Sequence, residues 1–328
     1  MIGRLCLAVS VALLGVLAGC SSTPKDDRAD AEREAARPSA TSTAQSCPTL
    51  VAGEHPLTVA GVERVFDVYV PDGLTGPAPV LVLFHGFASS KEEVASKTGL
   101  DRSAPAAGVV LVVPQGAGDP AGWNVLEGYE QDAQFVDAAL DSLGSEPCVD
   151  PEAVWLAGFS AGSAFAAVHG CLEAGRFAGL GLTAGLPPPI CPEGNTPHVI
   201  VTHGTDDAVV PYGGGAQPVG DVSVPLVSVP DSVAGWAERA GCDATAAVST
   251  VEDDVELQSW GGCPPGSSVS LLSVEGGGHT WPGSVEAMGV GHTSQTVSNS
   301  CVLLRSIVEP DLDHLAECPG EGNESAGG

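Results

Sequence analysis

The chain is short of positive charge: 12 Lys and Arg stand against 41 Asp and Glu, a net charge of −29. No basic cluster remains beyond the N-terminal segment, so the electrostatic footprint of a nucleic-acid-binding protein is missing. No internal repeat is present, which removes solenoids and propellers. C-x-x-C pairs and paired Cys/His spacings are absent, and with them the signature of a zinc site. His55, His169, His198, His292 and His314 likewise stand apart from other metal-type ligands. After one N-terminal stretch, no apolar run approaches the roughly 20 residues of a membrane-spanning helix.

What the sequence does have begins with an export signal over Met1–Gly19: Arg4, an apolar stretch from Leu5 to Leu17, then Leu17-Ala18-Gly19-Cys20. The stretch is too short to span a bilayer comfortably. Its last four residues resemble the lipobox of bacterial lipoproteins, in which the Cys takes a diacylglycerol and becomes the mature N-terminus. That resemblance implies a lipid on Cys20 and anchoring to the membrane, outside the cytoplasm. Residues 20–46 are rich in Ala, Ser, Thr, Asp and Glu without an aromatic residue, and read as a flexible tether. Residues 47–318 suit one large α/β domain, and the Gly-rich end, 319–328, reads as a frayed tail.

Of ten cysteines, Cys6 would leave with the signal and Cys20 would carry the lipid that the resemblance implies. Eight then remain in an oxidising compartment, and four disulfides are the default. Proximity in sequence favours Cys242–Cys263, Cys171–Cys191 and Cys301–Cys318, which leaves Cys47 with Cys148.

Short apolar runs ended by Gly, His or Pro read as buried strands: Val80–Phe84, Val109–Val113, Val154–Ala157, Gly179–Thr183, Val199–Thr202 and Val269–Val274. Leu57–Ala60 and Val62–Val70, hinged at Gly61, read as an antiparallel pair. Helical spacing runs over Gln131–Leu143, Ala161–Ala174, Ser232–Ala240 and Val297–Ile307. Such alternation predicts a mostly parallel sheet flanked by helices, in which ligands collect beyond the carboxyl ends of the strands.

Three residues just past such strands form a chemical set. Gly158-Phe159-Ser160-Ala161-Gly162 puts a serine on a strand-to-helix turn where larger side chains at 158 or 162 would collide. With Gly at 43 of 328 positions the pentapeptide alone is weak; its position carries the weight. His203-Gly204-Thr205-Asp206-Asp207 follows the run Val199–Thr202, and Gly276-Gly277-Gly278-His279 follows Val269–Val274. A serine hydroxyl needs a base, His279, and the base needs a carboxylate to orient it. Asp207 is favoured for that carboxylate over its neighbour Asp206. The order Ser, Asp, His is that of the α/β-hydrolase fold. His85-Gly86-Phe87, after Val80–Phe84, offers a backbone N–H that would join that of Ala161 as an oxyanion hole.

These motifs, with Arg64-Val65-Phe66-Asp67-Val68-Tyr69-Val70-Pro71, Gly122-Trp123-Asn124, Val210-Pro211-Tyr212 and Gly278-His279-Thr280-Trp281-Pro282-Gly283, resemble the polyhydroxybutyrate depolymerase-like esterases, a family that includes feruloyl and acetylxylan esterases and secreted lipoproteins. The resemblance spans roughly Val62–Gly283. It implies an α/β-hydrolase fold and a cofactor-independent serine esterase acting on small or polymeric esters, with Ser160 as nucleophile, His279 as base, Asp207 as acid and the Phe87 and Ala161 amides as oxyanion donors. His85, Trp123, Tyr212 and Trp281 are candidates for lining the substrate cleft. Relatives usually carry Gly or Ala where this chain has Ser163. The competing readings are a non-catalytic cell-envelope binding protein on the same fold, and a peptidase.

Overall fold

The apolar runs assemble into the middle of one ten-stranded sheet. The computed structural model describes residues 47, 50–144, 148–189, 196–219, 222–284, 286–309 and 318–320. The strands are β1 (Gly53–Val59), β2 (Val62–Tyr69), β3 (Ala78–Phe84), β4 (Val110–Pro114), β5 (Val149–Phe159), β6 (Gly179–Thr183), β7 (His198–Gly204), β8 (Ala246–Glu252), β9 (Val255–Trp260) and β10 (Ser268–Val274). Their spatial order is β1-β2-β4-β3-β5-β6-β7-β10-β9-β8. The pairs from β4 through β10 are parallel. Both margins are antiparallel: β1 and β2 on one side, β9 and β8 on the other. The chain therefore has an α/β-hydrolase architecture, a mostly parallel sheet flanked by helices.

Alternation along each strand gives the sheet two apolar faces. In β3, Val80, Val82 and Phe84 point to one core while Leu81 and Leu83 point to the other; in β5, Val154 and Leu156 oppose Trp155, Ala157 and Phe159. Helices α3 (Tyr129–Gly144), α4 (Ala161–Leu172) and α5 (Val229–Ala240) cover the first face through Phe135, Phe165 and Trp236. Helices α1 (Lys91–Thr98), α2 (Leu100–Ala106) and α6 (Asn299–Val308) cover the second through Val94, Leu100 and Leu303. Sequence spacing does not signal α1 or α2. Each is short, and α1 is set by its caps: the Glu93 N–H donates to Ser90 Oγ at 3.3 Å, and Gly99 ends it at φ 71°. Strands β8 and β9 are equally silent, because β8 is a largely exposed edge without alternating apolar residues.

Disulfides join Cys47 to Cys148, Cys242 to Cys263 and Cys301 to Cys318. Cys171 is also disulfide-bonded; Cys191, Cys20 and the segments 1–46 and 321–328 lie outside the described residues. Pro319 and Gly320 differ from the expected frayed tail: Pro319 bridges to Val297, and the Gly320 N–H donates to Thr296 O at 3.0 Å.

Several motif residues build the frame. Arg64 on β2 meets Asp132 of α3 at 3.0 Å, both side chains nearly buried. The same carboxylate accepts from the Asn124 N–H and Nδ2, each at 2.9 Å. Asp132→Ala leaves the Arg64 charge buried and uncompensated, so it costs about 3–5 kcal/mol, read as a fall in the urea midpoint. A loss below about 1 kcal/mol would contradict this role.

Candidate active site

Strand β5 delivers Ser160 to the carboxyl edge of the sheet on a turn that few residues accept. Ser160 sits at φ 55°, ψ −118°, between β5 and the first residue of α4, Ala161. A non-glycine residue held there costs of order 1–3 kcal/mol, and strain of that kind concentrates at functional sites. The two glycines of the motif are close-approach positions. A Cβ at Gly158 would fall on the Gly162 backbone, and one at Gly162 on the Phe84 and His85 carbonyls. The Ser160 N–H donates to Thr183 O at 2.9 Å, tying the turn to β6. Ser163, one turn into α4, is fully buried and donates to Gly185 O at 2.5 Å.

Two further loops converge on Ser160. His279 Nε2 lies 2.9 Å from Ser160 Oγ, and His279 Nδ1 lies 2.8 Å from Asp207 Oδ2. The loop after β7 is fastened to the loop after β10 by the Asp206 N–H donating to Gly277 O at 2.9 Å and the Gly276 N–H donating to Thr205 Oγ1 at 2.9 Å. The segment carrying His279 pairs antiparallel with Gly289–Val290. Asp206 is exposed, and Asp207 is the carboxylate that turns inward. Its second oxygen accepts from the Val209 and Val210 N–H groups at 2.8 and 2.7 Å. Burial would raise the Asp207 carboxyl, but the hydrogen bonds from His203, His279 and Val210 outweigh burial and hold it well below the usual carboxylate range.

His203 is a partner that the sequence did not single out beyond its place in a motif. Its Nε2 lies 2.8 Å from Val210 O and 3.2 Å from Asp207 Oδ2, so one N–H is shared between them. The only hint of this was its position four residues before Asp207.

The amides of Phe87 and Ala161 face no acceptor among the described residues, whereas the next amide, Ala88 N–H, is committed to Ala121 O at 2.7 Å. The turn that holds Phe87 is set by His85. Its Nε2 accepts from the Gly116 N–H at 2.9 Å, so the ring proton sits on Nδ1, which donates to Gly86 O at 2.7 Å. Burial lowers the His85 imidazole below its ordinary value, which keeps it neutral. His85→Ala frees the 85–88 turn, and a misplaced amide is expected to lower kcat on the order of tenfold to a hundredfold with a smaller change in KM. Equal kcat in the variant would contradict the assignment.

A cleft of about 350 Å³ opens over Ser160 and His279. Phe87, Phe159, Val209, Met288 and Val290 form its apolar part, and Ser89, Glu93 and Lys97 its polar end. None of the four residues named for the cleft from sequence lines it. His85 is fully buried beneath the turn, and Trp123, 8% exposed, donates its Nε1–H to His85 O at 3.0 Å. Trp281, 1% exposed, donates to Ser300 Oγ at 3.0 Å in the opposite core. Tyr212 packs on the first core with its hydroxyl 2.6 Å from Ser273 Oγ. Each indole or phenol finds its polar partner inside the protein, which is what buried Trp and Tyr require. The aromatic residues at the cleft are instead Phe159, which is buried, and Phe87, which is 64% exposed.

No protein-family profile matches the chain. Over 254 residues it is 28% identical to the putative esterase NocK of Nocardia uniformis subsp. tsuyamanensis, covering 69% of this chain and 73% of that one. Over 229 residues it is 29% identical to Feruloyl esterase B of Piromyces equi, covering 66% of this chain but only 42% of that one. Among solved structures, an acetyl xylan esterase from Aspergillus awamori superposes with a TM-score of 0.51 at 15% identity, over 69% of this chain and 94% of that one. The last shows a shared fold, and the first two extend the likeness to sequence. The chain thus has the α/β-hydrolase fold and is similar in sequence to proteins named as esterases and feruloyl esterases.

Proposed function

We propose that the chain is a serine esterase that hydrolyses carboxylic esters through an acyl-enzyme. The observation that carries this reading is the continuous line from Asp207 Oδ2 to His279 at 2.8 Å and from His279 to Ser160 Oγ at 2.9 Å. Ser160 Oγ attacks the ester carbonyl while His279 Nε2 takes its proton. The amides of Phe87 and Ala161 hold the oxyanion, and His279 returns the proton to the departing alcohol. Water, activated by the same imidazole, then releases the acid and regenerates Ser160. The ionised Asp207 keeps the His279 proton on Nδ1 and balances the imidazolium as it forms.

The candidate acyl groups are feruloyl, acetyl and hydroxybutyryl. The apolar wall of Phe87, Phe159, Met288 and Val290 favours an acyl chain or ring over a charged one. Export and lipid attachment at Cys20 belong to the same proposal, which would place the enzyme at the outer face of the cell membrane.

A panel of p-nitrophenyl acetate, p-nitrophenyl butyrate and methyl ferulate, run beside a peptide anilide, tests the reading. Ester turnover with an initial burst of alcohol, and none with the anilide, is expected. An inert protein across all three esters would contradict it.

A further inference from the structure

The excess of acid in this chain lies wholly from Cys47 onward. Five basic and five acidic residues precede Cys47 and cancel, so the whole −29 lies beyond it, where seven cations face 36 carboxylates. Against that background, a groove of about 520 Å³ between the α1–α2 corner and α6 is lined by Lys97, Arg102 and Arg305, and by no Asp or Glu. Three of the seven cations thus meet at one depression.

Lys97 and Arg102 are paired with carboxylates that do not line the groove. Lys97 is ion-paired to Glu93, which lies on the side of the catalytic cleft. Among the described residues the Arg102 guanidinium is ion-paired only to Asp101, at a long 3.4 Å, and its side chain is 69% exposed. Arg305 lines the groove half-buried and has a partner of its own. Lys97 lines the groove and also the cleft over Ser160, so the two depressions share a wall.

We infer that this groove is a subsite for a carboxylate on the non-reacting part of the substrate, and that an acylated oligouronide is a substrate class of this enzyme. The inference deepens the esterase reading and rests on it. A neutral ester has no use for a local reversal of charge. An anionic ester docking on a surface of this net charge needs one, because within a Debye length of about 8 Å it meets repulsion that only close cations offset. A groove of this size accommodates a sugar unit, and its continuity with the cleft through Lys97 makes the carboxylate and the ester parts of one molecule.

The test compares acetylated trigalacturonate with acetylated xylotriose on wild type, Arg102→Gln and Arg102→Gln/Arg305→Gln. The expected result is a kcat/KM preference for the uronide that falls about fivefold in the single variant and about tenfold or more in the double, in line with about 1 kcal/mol per exposed charge contact. Activity on the neutral oligomer should be unchanged, and 0.5 M salt should erase the preference. Arg102 is so exposed that its replacement tests the groove even where the double variant folds poorly.

A second arm uses Ser160→Ala protein and unesterified trigalacturonate in a calorimeter. Saturable binding, weakened about fivefold when Arg102→Gln is added, is expected. Unchanged selectivity in the variants, or binding indifferent to Arg102, overturns the subsite. If no ester is turned over yet the uronide binds in an Arg102-dependent manner, the esterase reading fails and the anion site stands; if neutral esters are cleaved without uronide preference, only the subsite fails.

Discussion

Ser160→Ala lowers ester turnover by about six orders of magnitude, since losing the nucleophile alone removes nearly all that a serine–histidine–aspartate arrangement provides. The fold should survive. Alanine retains the Cβ, so the strain at φ 55° is neither relieved nor deepened, and the Ser160 amide keeps its bond to Thr183. Thermal stability should stay within a few degrees of wild type. Ser160→Gly separates strain from chemistry: it should be as inactive but more stable by about 1 kcal/mol, because glycine occupies this backbone region without penalty. Retention of more than about 1% of kcat in the alanine variant would contradict the assignment of Ser160.

Asp207→Asn carries the second large effect, a loss of roughly ten-thousandfold in kcat near neutral pH. The amide nitrogen cannot accept a proton from His279 Nδ1, and the ring then settles in the tautomer that leaves no lone pair on Nε2 for Ser160. The pH dependence of stability follows from the depressed Asp207 carboxyl. Because its folded value lies below the ordinary value of 3.8, its contribution is complete above about pH 4 and is lost as pH falls toward the folded value. The gap between the melting temperatures of wild type and Asp207→Asn should therefore narrow on going from pH 6 to pH 3. A gap that widens on acidification would have the wrong sign.

Which parts of this could be read along the chain depends on whether the signal is local. The central strands were legible because a parallel strand buried on both faces must be almost wholly apolar, as in Val110–Val113 and Gly179–Thr183. Ser160, Asp207 and His279 stood out because each immediately follows such a strand, where the sheet's topology gathers loops. Proximity along the chain also anticipated the bonds Cys242–Cys263 and Cys301–Cys318.

What was illegible is set by tertiary packing. Trp123 and Trp281 have the composition of a binding cleft, yet their indole N–H groups are satisfied at His85 O and Ser300 Oγ, partners 38 and 19 residues away. The apolar wall of the cleft comes from Phe87, Phe159, Val209, Met288 and Val290, spread over four separate stretches that no periodicity connects. His203 was likewise hidden, since nothing in sequence says that its ring folds back over the carboxylate of Asp207.

The most direct measurement is the site of covalent capture. Incubating the protein with a p-nitrophenyl alkylphosphonate and mapping the adduct by peptide mass spectrometry should find one phosphonyl group per chain, on Ser160, absent from Ser160→Ala and formed far more slowly in His279→Ala. An adduct on another residue, or labelling undiminished when Ser160 is alanine, would show that the hydroxyl beside His279 is not the reactive one.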